Sequence, residues 1–142
     1  YMKRGHSPHL TLEFFKQSLA KMKDNILLII ASDFEEDVAC AWFYFDDKQL
    51  YGRYWGATKS YNNLHFELCY YQGIDFCIEK QLERFNPGTQ GEHKIQRGFE
   101  PILTYSYHWI KQTEFKVPVK NFCSSHICQS SFNIVLKKNN DH

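Results

Sequence analysis

The sequence predicts an α+β fold, in which a mixed, mostly antiparallel sheet is flanked by helices. Three observations support this prediction. Short polar connections join three strand-like segments, 25–32, 38–45 and 49–56, which is typical of an antiparallel meander. Apolar residues recur at helical spacing both before and after the meander. Two further strand-like segments, 83–86 and 102–110, follow the second helical region.

The first helix is predicted from Leu12, Phe15, Leu19 and Met22, which recur at helical spacing. Thr11 precedes them and is a suitable N-cap, because its hydroxyl can accept from a backbone N–H of the first turn. The segment therefore predicts a capped amphipathic helix that packs on the sheet.

The segment "LHFEL" at 64–68 alternates apolar and polar residues, which predicts an extended segment with His65 and Glu67 on one face. Helical spacing returns from Tyr70 to Leu82, and Gly73 within it weakens the helix but permits a close approach. A final helix is predicted to begin with Pro118 in its first turn.

Length and composition limit the possible functions. The 142 residues predict one domain spanning 1–142. Lys+Arg 17 against Asp+Glu 16 leaves almost no net charge, which disfavours a nucleic-acid binder. The longest apolar run, 26–31, is too short to span a bilayer. The five cysteines include no CxxC pair, so we expect reduced, non-essential thiols in a cytoplasmic protein. Tyr1 precedes Met2, so the chain is expected to begin inside a longer polypeptide.

His65 and Glu67 form the first candidate pair. Two polar side chains on one strand face are often only the solvated side of an antiparallel sheet. Alternatively, His65 can exchange protons near neutral pH, while Glu67 orients it or acts as the base.

The second candidate is the loop 85–101, which holds Glu92, His93, Lys94 and Arg97 within six residues. One interpretation is a solvated turn with structural ion pairs. The other is a site at which glycine N–H groups, with Lys94 and Arg97, bind an anion or a developing oxyanion.

A metal site is a third possible interpretation. Several N/O ligands could converge in space, but no HExxH or CxxC spacing is present, so no metal is expected. The five ligands considered are His65, Glu67, Glu92, His93 and His108.

Four longer segments, 50–56, 64–79, 88–101 and 104–109, occur in an order and spacing that resemble the FemAB-like proteins of the acyl-CoA N-acyltransferase (GNAT) superfamily. These proteins are labelled peptidoglycan biosynthesis or recognition proteins. The resemblance implies a GNAT-like sheet whose central strands splay to admit an acyl donor. It also implies that this chain corresponds to the C-terminal part of a larger protein and is incomplete at its N-terminus.

The activity implied by this resemblance is acyl transfer from a thioester or ester to an amine. The donor would be acyl-CoA or an aminoacyl-tRNA, and the near-neutral charge disfavours tRNA. The acceptor would be a small amine or an amino-sugar peptide related to peptidoglycan precursors. The rival interpretation is a non-catalytic GNAT-like module that recognises a cell-wall precursor or a protein partner.

The predicted site combines the two candidate groups with the resemblance. Glu67 is the preferred base, because enclosure by Tyr54 and Trp55 would make a carboxylate more basic, and His93 is the second choice. The candidate catalytic residues are Glu67, His65, His93 and Glu92. The candidate substrate-binding residues are Arg53, Tyr54, Trp55, Tyr70, Gln72, Gly91, Lys94, Arg97 and His108. Gly56 and Gly88 are the candidate donor-binding residues, and Gly56 belongs to "RYWGAT" (53–58), which approximates the pyrophosphate loop of acetyltransferases.

The last prediction concerns self-association. If an N-terminal unit normally covers one sheet edge, this chain exposes unpaired backbone groups there, so we expect a homodimer through the exposed edge.

Overall fold

The computed structural model describes residues 9–88, 92–103, 109–126 and 132–137. Within these residues, six strands form one mostly antiparallel sheet with the order β1-β2-β3-β4-β6-β5. The predicted α+β class is confirmed. The strands are β1 (Ile26–Asp33), β2 (Glu36–Phe45), β3 (Gln49–Ala57), β4 (Arg84–Asn86), β5 (Glu100–Leu103) and β6 (Phe132–Lys137). The helices are α1 (Leu12–Met22), α2 (Leu64–Phe66), α3 (Gln72–Glu79) and α4 (Thr113–His126), with 3₁₀ helices at Lys23–Asn25 and Glu92–Arg97.

The predicted meander is formed by β1, β2 and β3. Both pairs are antiparallel, with Ile29 opposite Ala41 and Ala41 opposite Trp55. The tight β1–β2 turn places Phe34 at a positive φ of 56° and leaves its side chain 99% exposed. Aliphatic and aromatic residues dominate these strands, as expected for segments that pack on a pleated surface.

The strands β3 and β4 run parallel but pair over three residues alone, from Gln49↔Arg84 to Tyr51↔Asn86. β3 then continues through Gly52–Ala57, whereas β4 ends at Asn86. The backbones are still close at Gly52, where an added Cβ would lie 3.3 Å from the Pro87 Cα. The two central strands therefore separate beyond Gly52 and leave a cleft between them.

One face of the sheet is covered by a helical segment that we call the central helix. It consists of α2, a π turn at Glu67–Tyr71, and α3. Beneath it lies the main core, in which Phe43, Leu50 and Phe85 are almost fully buried. Gly73 permits this packing, since an added Cβ would lie 2.7 Å from the Phe85 ring, which confirms the predicted close approach.

The opposite face is covered by α1. Thr11 caps the helix as predicted, accepting from the Phe14 N–H at 3.3 Å. Phe15 makes edge-to-face contacts with Trp42 and Tyr54, yet no residue of α1 is buried. This face is therefore much more thinly covered than the other.

The prediction of an extended segment at 64–68 is wrong, because these residues begin the central helix. This helix is covered on two sides. On the side that faces the sheet, Leu68 lies in the core. On the side that faces the 3₁₀ helix Glu92–Arg97, Phe66 and Tyr70 contact His93. Apolar residues on two sides of a helix imitate the alternation of a strand. Since residues two apart in a helix are separated by about 200°, His65 and Glu67 point to opposite sides.

Two predictions near the C-terminus also need correction. Pro118 lies inside α4, which begins at Thr113. Every described side chain from 111 to 124 is exposed, so water can hydrate the carbonyl that Pro118 leaves without a donor. The strand predicted at 102–110 is β5, which ends at Leu103, and residues 104–108 lie outside the described part of the chain. β6 was not predicted, although the alternating "FNIVLK" at 132–137 carries a strand signal.

Candidate functional site

The candidate site is built around the π turn of the central helix. Asn63, at a positive φ of 64°, turns the chain from the loop after β3 into the helix. The π turn then places Tyr70 on the side that meets the 3₁₀ helix Glu92–Arg97. Single π turns inside α-helices occur frequently at functional sites.

Tyr70 and His93 form the central contact of this site. The Tyr70 hydroxyl and His93 Nε2 are 3.0 Å apart, which is hydrogen-bond distance. Tyr70 is 4% exposed, and burial raises the pKa of its hydroxyl to about 12. Burial lowers the pKa of His93, and the positive charges of Lys94 and Arg97 lower it further. At neutral pH the pair therefore combines a phenol that keeps its proton with a neutral imidazole.

Aromatic rings enclose this pair. The His65 ring packs edge to face on Tyr70 and on Trp55, with centroids 5.5 and 5.3 Å apart. Phe66 contacts both Tyr70 and His93. Trp55 belongs to the part of β3 beyond its pairing with β4, so the enclosure borders the cleft.

Arg97 completes the arrangement. Its guanidinium lies over the Phe66 ring, with the guanidinium carbon 3.8 Å from the centroid, in a cation–π contact. One Nη donates to the His93 carbonyl at 2.7 Å, while the buried Nε has no hydrogen-bond partner. Arg97 thus fixes the backbone at His93 and places positive charge beside the imidazole. We call the set Trp55, His65, Phe66, Tyr70, His93 and Arg97 the His93 cluster.

Lys94 joins the 3₁₀ helix Glu92–Arg97 to the chain after β4. It is 3% exposed, and its ammonium donates to the carbonyls of Pro87 and Gly88 at 3.2 and 2.9 Å. Gly88 adopts a positive φ of 87°, and its N–H donates to the Asn86 side chain. Lys94 therefore ties the 3₁₀ helix to the end of β4, at the point where β4 leaves β3.

A binding site for the phosphates of an acyl donor such as CoA is less evident than the His93 cluster. The loop after β3 leads to the N-terminus of the central helix, where an anion would be expected to bind. Here the Leu64 and Phe66 N–H groups already donate to the carbonyls of Tyr61 and Asn63. Lys59 is paired with Glu36 at 2.6 Å. Two backbone donors and the lysine near this helix end are thus already engaged within the chain.

A family model of FemAB-like proteins, described as peptidoglycan biosynthesis/recognition, matches residues 1–139. This chain belongs to the FemAB-like family. No curated protein matches it.

Solved structures share the fold of this FemAB-like chain. An acetyltransferase from Streptococcus agalactiae is similar with a TM-score of 0.54 and 13% identity, over 92% of this chain and 80% of that one. Rv2747 from Mycobacterium tuberculosis, in complex with CoA and NLQ, gives 0.52 and 11%, over 86% and 81%. A GNAT family acetyltransferase from Elizabethkingia anophelis with acetyl-CoA bound gives 0.50 and 10%, over 94% and 95%. The fold is therefore that of the GNAT acetyltransferases.

The structure of the FemAB-like chain brings some of the predicted residues together. His65, His93, Trp55, Tyr70 and Arg97 all lie in the His93 cluster. Phe66 was not predicted, because it is recognised as a neighbour of Tyr70 only when 64–71 is read as helix, four residues apart on one side.

Other predicted residues lie elsewhere. Glu67 is exposed and accepts from the Gln72 amide at 2.8 Å, so it is not enclosed by Tyr54 and Trp55. Tyr54 packs against Phe14 and Phe15 on the α1 face.

The remaining predicted residues flank the cleft or are undescribed. Arg53 and Gly56 are exposed on β3, and an added Cβ at Gly56 would meet nothing within 4 Å. Glu92 begins the 3₁₀ helix, but its side chain lies outside the described part of the structure. Gly91 and His108 also lie outside the described residues.

Two other features, a metal site and a membrane-spanning helix, are not found among the described residues. Among the described residues, no group of three His, Cys, Asp or Glu side chains is arranged to hold a metal ion. None of the helices in the described ranges is long and apolar enough to cross a membrane.

Proposed function

We propose that this chain is an N-acyltransferase that transfers an acyl or aminoacyl group from a thioester or ester to an amine, with His93 as the general base. The Tyr70–His93 pair, beside a cleft between splayed strands, is the observation that carries this proposal. Glu67 was the preferred base from the sequence, but its exposure and its bond to Gln72 favour His93 instead.

The roles of the two ring nitrogens follow from the Tyr70 contact. If His93 Nε2–H donates to the Tyr70 oxygen, Nδ1 has a lone pair available for a proton. Tyr70 then acts as a positioning residue that fixes the tautomer and the ring. Because the pKa of His93 is lowered, the imidazole is neutral at neutral pH and can accept a proton.

The reaction would then proceed in two steps. His93 Nδ1 removes a proton from the substrate ammonium, and the resulting amine attacks the carbonyl carbon to form the C–N bond. The carbonyl oxygen becomes an oxyanion beside the Arg97 guanidinium, which stabilises it. The intermediate collapses by breaking the bond to the thiolate or alkoxide. The attacking nitrogen releases its second proton to solvent, and the proton held by His93 passes to the leaving group.

The substrates are proposed from the family. Its description, peptidoglycan biosynthesis/recognition, supports an amine or amino-sugar peptide of a cell-wall precursor as acceptor. The neighbours that hold CoA and acetyl-CoA support acyl-CoA as donor. An aminoacyl-tRNA is the less favoured donor, since the chain carries a formal net charge of +1. The unpaired thiols Cys40, Cys69 and Cys77 support the cytoplasm as the setting.

The decisive experiment measures acyl transfer from a panel of acyl-CoAs to amines and muropeptides, by release of the free thiol. We expect His93→Gln to lose about 10²–10⁴-fold in kcat, the usual contribution of general acid–base catalysis. His9→Gln, at an exposed histidine, is the matched control and should retain activity. Undiminished turnover in His93→Gln would exclude His93 as the base.

A non-catalytic recognition module is the second candidate. It is favoured by the engaged amides at Leu64 and Phe66 and by the Lys59–Glu36 ion pair. These contacts occupy hydrogen-bond donors where the phosphates of an acyl donor would usually bind. Isothermal titration separates the two functions. A module binds muropeptide without binding CoA or acetyl-CoA and without turnover, whereas an acyl-CoA-dependent transferase binds both substrates.

A further inference from the structure

Arg97 is a partly buried cation whose counterion is missing. Its guanidinium contacts the Phe66 ring and the His93 carbonyl, neither of which carries a negative charge. The ion pairs that the structure describes lie elsewhere in the chain. Charged groups that lose water on folding are usually paired with an opposite charge. Arg97 is therefore placed to receive an anion that does not belong to the described part of the chain.

The guanidinium of Arg97 also has hydrogen-bond donors that the fold does not use. One Nη donates to the His93 carbonyl at 2.7 Å, whereas the buried Nε has no acceptor. The other Nη has no acceptor among the described residues. Arginine presents its N–H groups as a planar fork, which matches the two oxygens of a carboxylate. A carboxylate thus fits both the charge and the donors that Arg97 leaves unmatched.

The Phe66 ring places Arg97 beside the proposed base. The guanidinium carbon of Arg97 is 3.8 Å from the Phe66 centroid, and the His93 ring centroid is 5.5 Å from it. A substrate with its amine at His93 can therefore reach Arg97 only with a group close to that amine. An amino acid meets this condition, because its amine and its carboxylate are attached to one carbon.

The charges around His93 favour such a substrate. Lys94 and Arg97 both lower the pKa of His93, and no carboxylate of the described residues raises it. These positive charges repel a substrate ammonium, and a carboxylate on the same molecule would offset the repulsion. The bound carboxylate would also raise the pKa of His93, because a nearby negative charge favours the imidazolium. The acceptor would thus strengthen the base that deprotonates it.

We propose that the acceptor is an amino acid, or a peptide end with the same two groups, and that Arg97 binds its carboxylate while His93 takes the proton from its amine. This inference rests on the proposed acyl transfer and narrows its acceptor to amines with a nearby carboxylate. Separate N–H groups of the guanidinium hold the carboxylate and face the developing oxyanion. The carboxylate itself does not react, and the product is the N-acylated amino acid.

The donor is a less suitable source of the anion. In acyl-CoA the phosphates are separated from the reacting carbonyl by the long pantetheine arm, whereas Arg97 adjoins the base. A carboxylate at the far end of the acyl group, as in succinyl-CoA, is the alternative source. Experiments must therefore vary the acceptor and the acyl group separately.

Acyl transfer to matched acceptors tests the role of Arg97. Alanine and alaninamide, each in both configurations, share the amine and differ in the carboxylate. With acetyl-CoA we expect kcat/KM to be about 10–100-fold higher for alanine, the range that charge-assisted hydrogen bonds provide. Arg97→Gln should remove this preference by lowering kcat/KM for alanine, and Arg97→Lys should retain part of it. Arg84→Gln, at an exposed arginine of β4, is the matched control and should keep the preference in full.

NMR titration of the His93 ring tests the same contact without turnover. Saturating alanine should raise the pKa of His93 in the natural chain, alaninamide should not raise it, and Arg97→Gln should abolish the response to alanine. A response to alanine in a chain that transfers no acyl group would retain the carboxylate site and exclude the transferase. Equal use of alanine and alaninamide, with His93→Gln inactive towards both, would retain the transferase and overturn the role of Arg97. A chain that neither acylates alanine nor responds to it contradicts the proposal as well.

Comparison of succinyl-CoA with acetyl-CoA identifies the source of the carboxylate. If Arg97 binds the acceptor, Arg97→Gln should lower kcat/KM for alanine equally with both donors. A loss confined to succinyl-CoA, and equal for alanine and alaninamide, would assign Arg97 to the acyl group and exclude the acceptor carboxylate as its ligand.

Discussion

The two faces of the sheet differ in how well they are covered. Under the central helix, Phe43, Leu50 and Phe85 have at most 2% of their surface exposed, and the His93 cluster lies at the margin of this core. Under α1, Trp42 is buried, but the helix that covers it has no buried residue. The first face therefore supplies a rigid support for polar groups, which a site of defined geometry requires. The second face leaves more apolar surface exposed, including Leu28 and Ile30, so we expect it to contribute less stability.

The largest effect is expected from truncating the better-covered face. Phe85→Ala should lower the free energy of unfolding by about 3–5 kcal/mol, since the ring is 0% exposed and contacts Phe43 and Phe99. Phe15→Ala, on α1, should cost only about 1–2 kcal/mol, because its ring is partly exposed. Urea denaturation of both variants measures the difference. Equal losses of unfolding free energy in the two variants would show that the two faces of the sheet contribute equally to stability.

Lys94 offers a test of how the core supports the cleft. Lys94→Met keeps the apolar stem of this buried side chain but leaves the carbonyls of Pro87 and Gly88 without this donor, so we expect a loss of about 2 kcal/mol. Lys80→Met, at an exposed lysine, is the control and should change stability by less than about 0.5 kcal/mol. If Lys94→Met were as stable as the natural chain, the clamp would not hold the end of β4.

Gly73 tests how tightly the better-covered face is packed at one backbone position. Gly73→Ala should gain helix propensity of about 1 kcal/mol. It should lose more than this by overpacking, since its Cβ would lie 2.7 Å from the buried Phe85 ring, and a net loss of about 1 kcal/mol is expected. Gly56→Ala meets nothing within 4 Å and should be nearly neutral. Combining Gly73→Ala with Phe85→Leu should recover part of the loss, and an additive loss in the double variant would exclude the clash as its cause.

Much of the fold could be predicted from the sequence, because local patterns specify it. The meander is defined by its short polar turns, and α1 is defined by its apolar spacing and its N-cap. These local features all agree with the structure. The helix at 64–68 could not be predicted in this way. Its two covered sides place apolar residues at alternate positions, so the local pattern contradicts the tertiary packing.

The candidate site was predicted in part for the same reason. His93 and Arg97 were chosen because ionisable groups were concentrated in one loop, and they do lie together. The prediction for Glu67 depends on an extended segment at 64–68. Because this segment is helical, Glu67 instead lies on an exposed side of the helix and bonds to Gln72. The assignment of Lys94 to the substrate did not anticipate that its ammonium would be buried and engaged by two carbonyls, since a sequence does not show which charges are desolvated.

The smallest expected effect concerns pH, and it depends on the better-covered face. Burial first, and then Lys94 and Arg97, hold the pKa of His93 below its ordinary value of 6.5 in the folded state. As the pH falls through about 6.5, the unfolded chain therefore binds the proton before the folded chain does. The contribution of His93 to stability is complete above this pH and is lost as the pH falls towards the lower, folded-state pKa. In urea denaturation over a pH series, His93→Gln should remove this part of the acid dependence, while His9→Gln serves as the control. NMR titration of the His93 ring gives the pKa directly, and Arg97→Gln should raise it because a nearby positive charge is removed. Titration of His93 at or above 6.5 in the natural chain would contradict both the desolvated site and its neutral base.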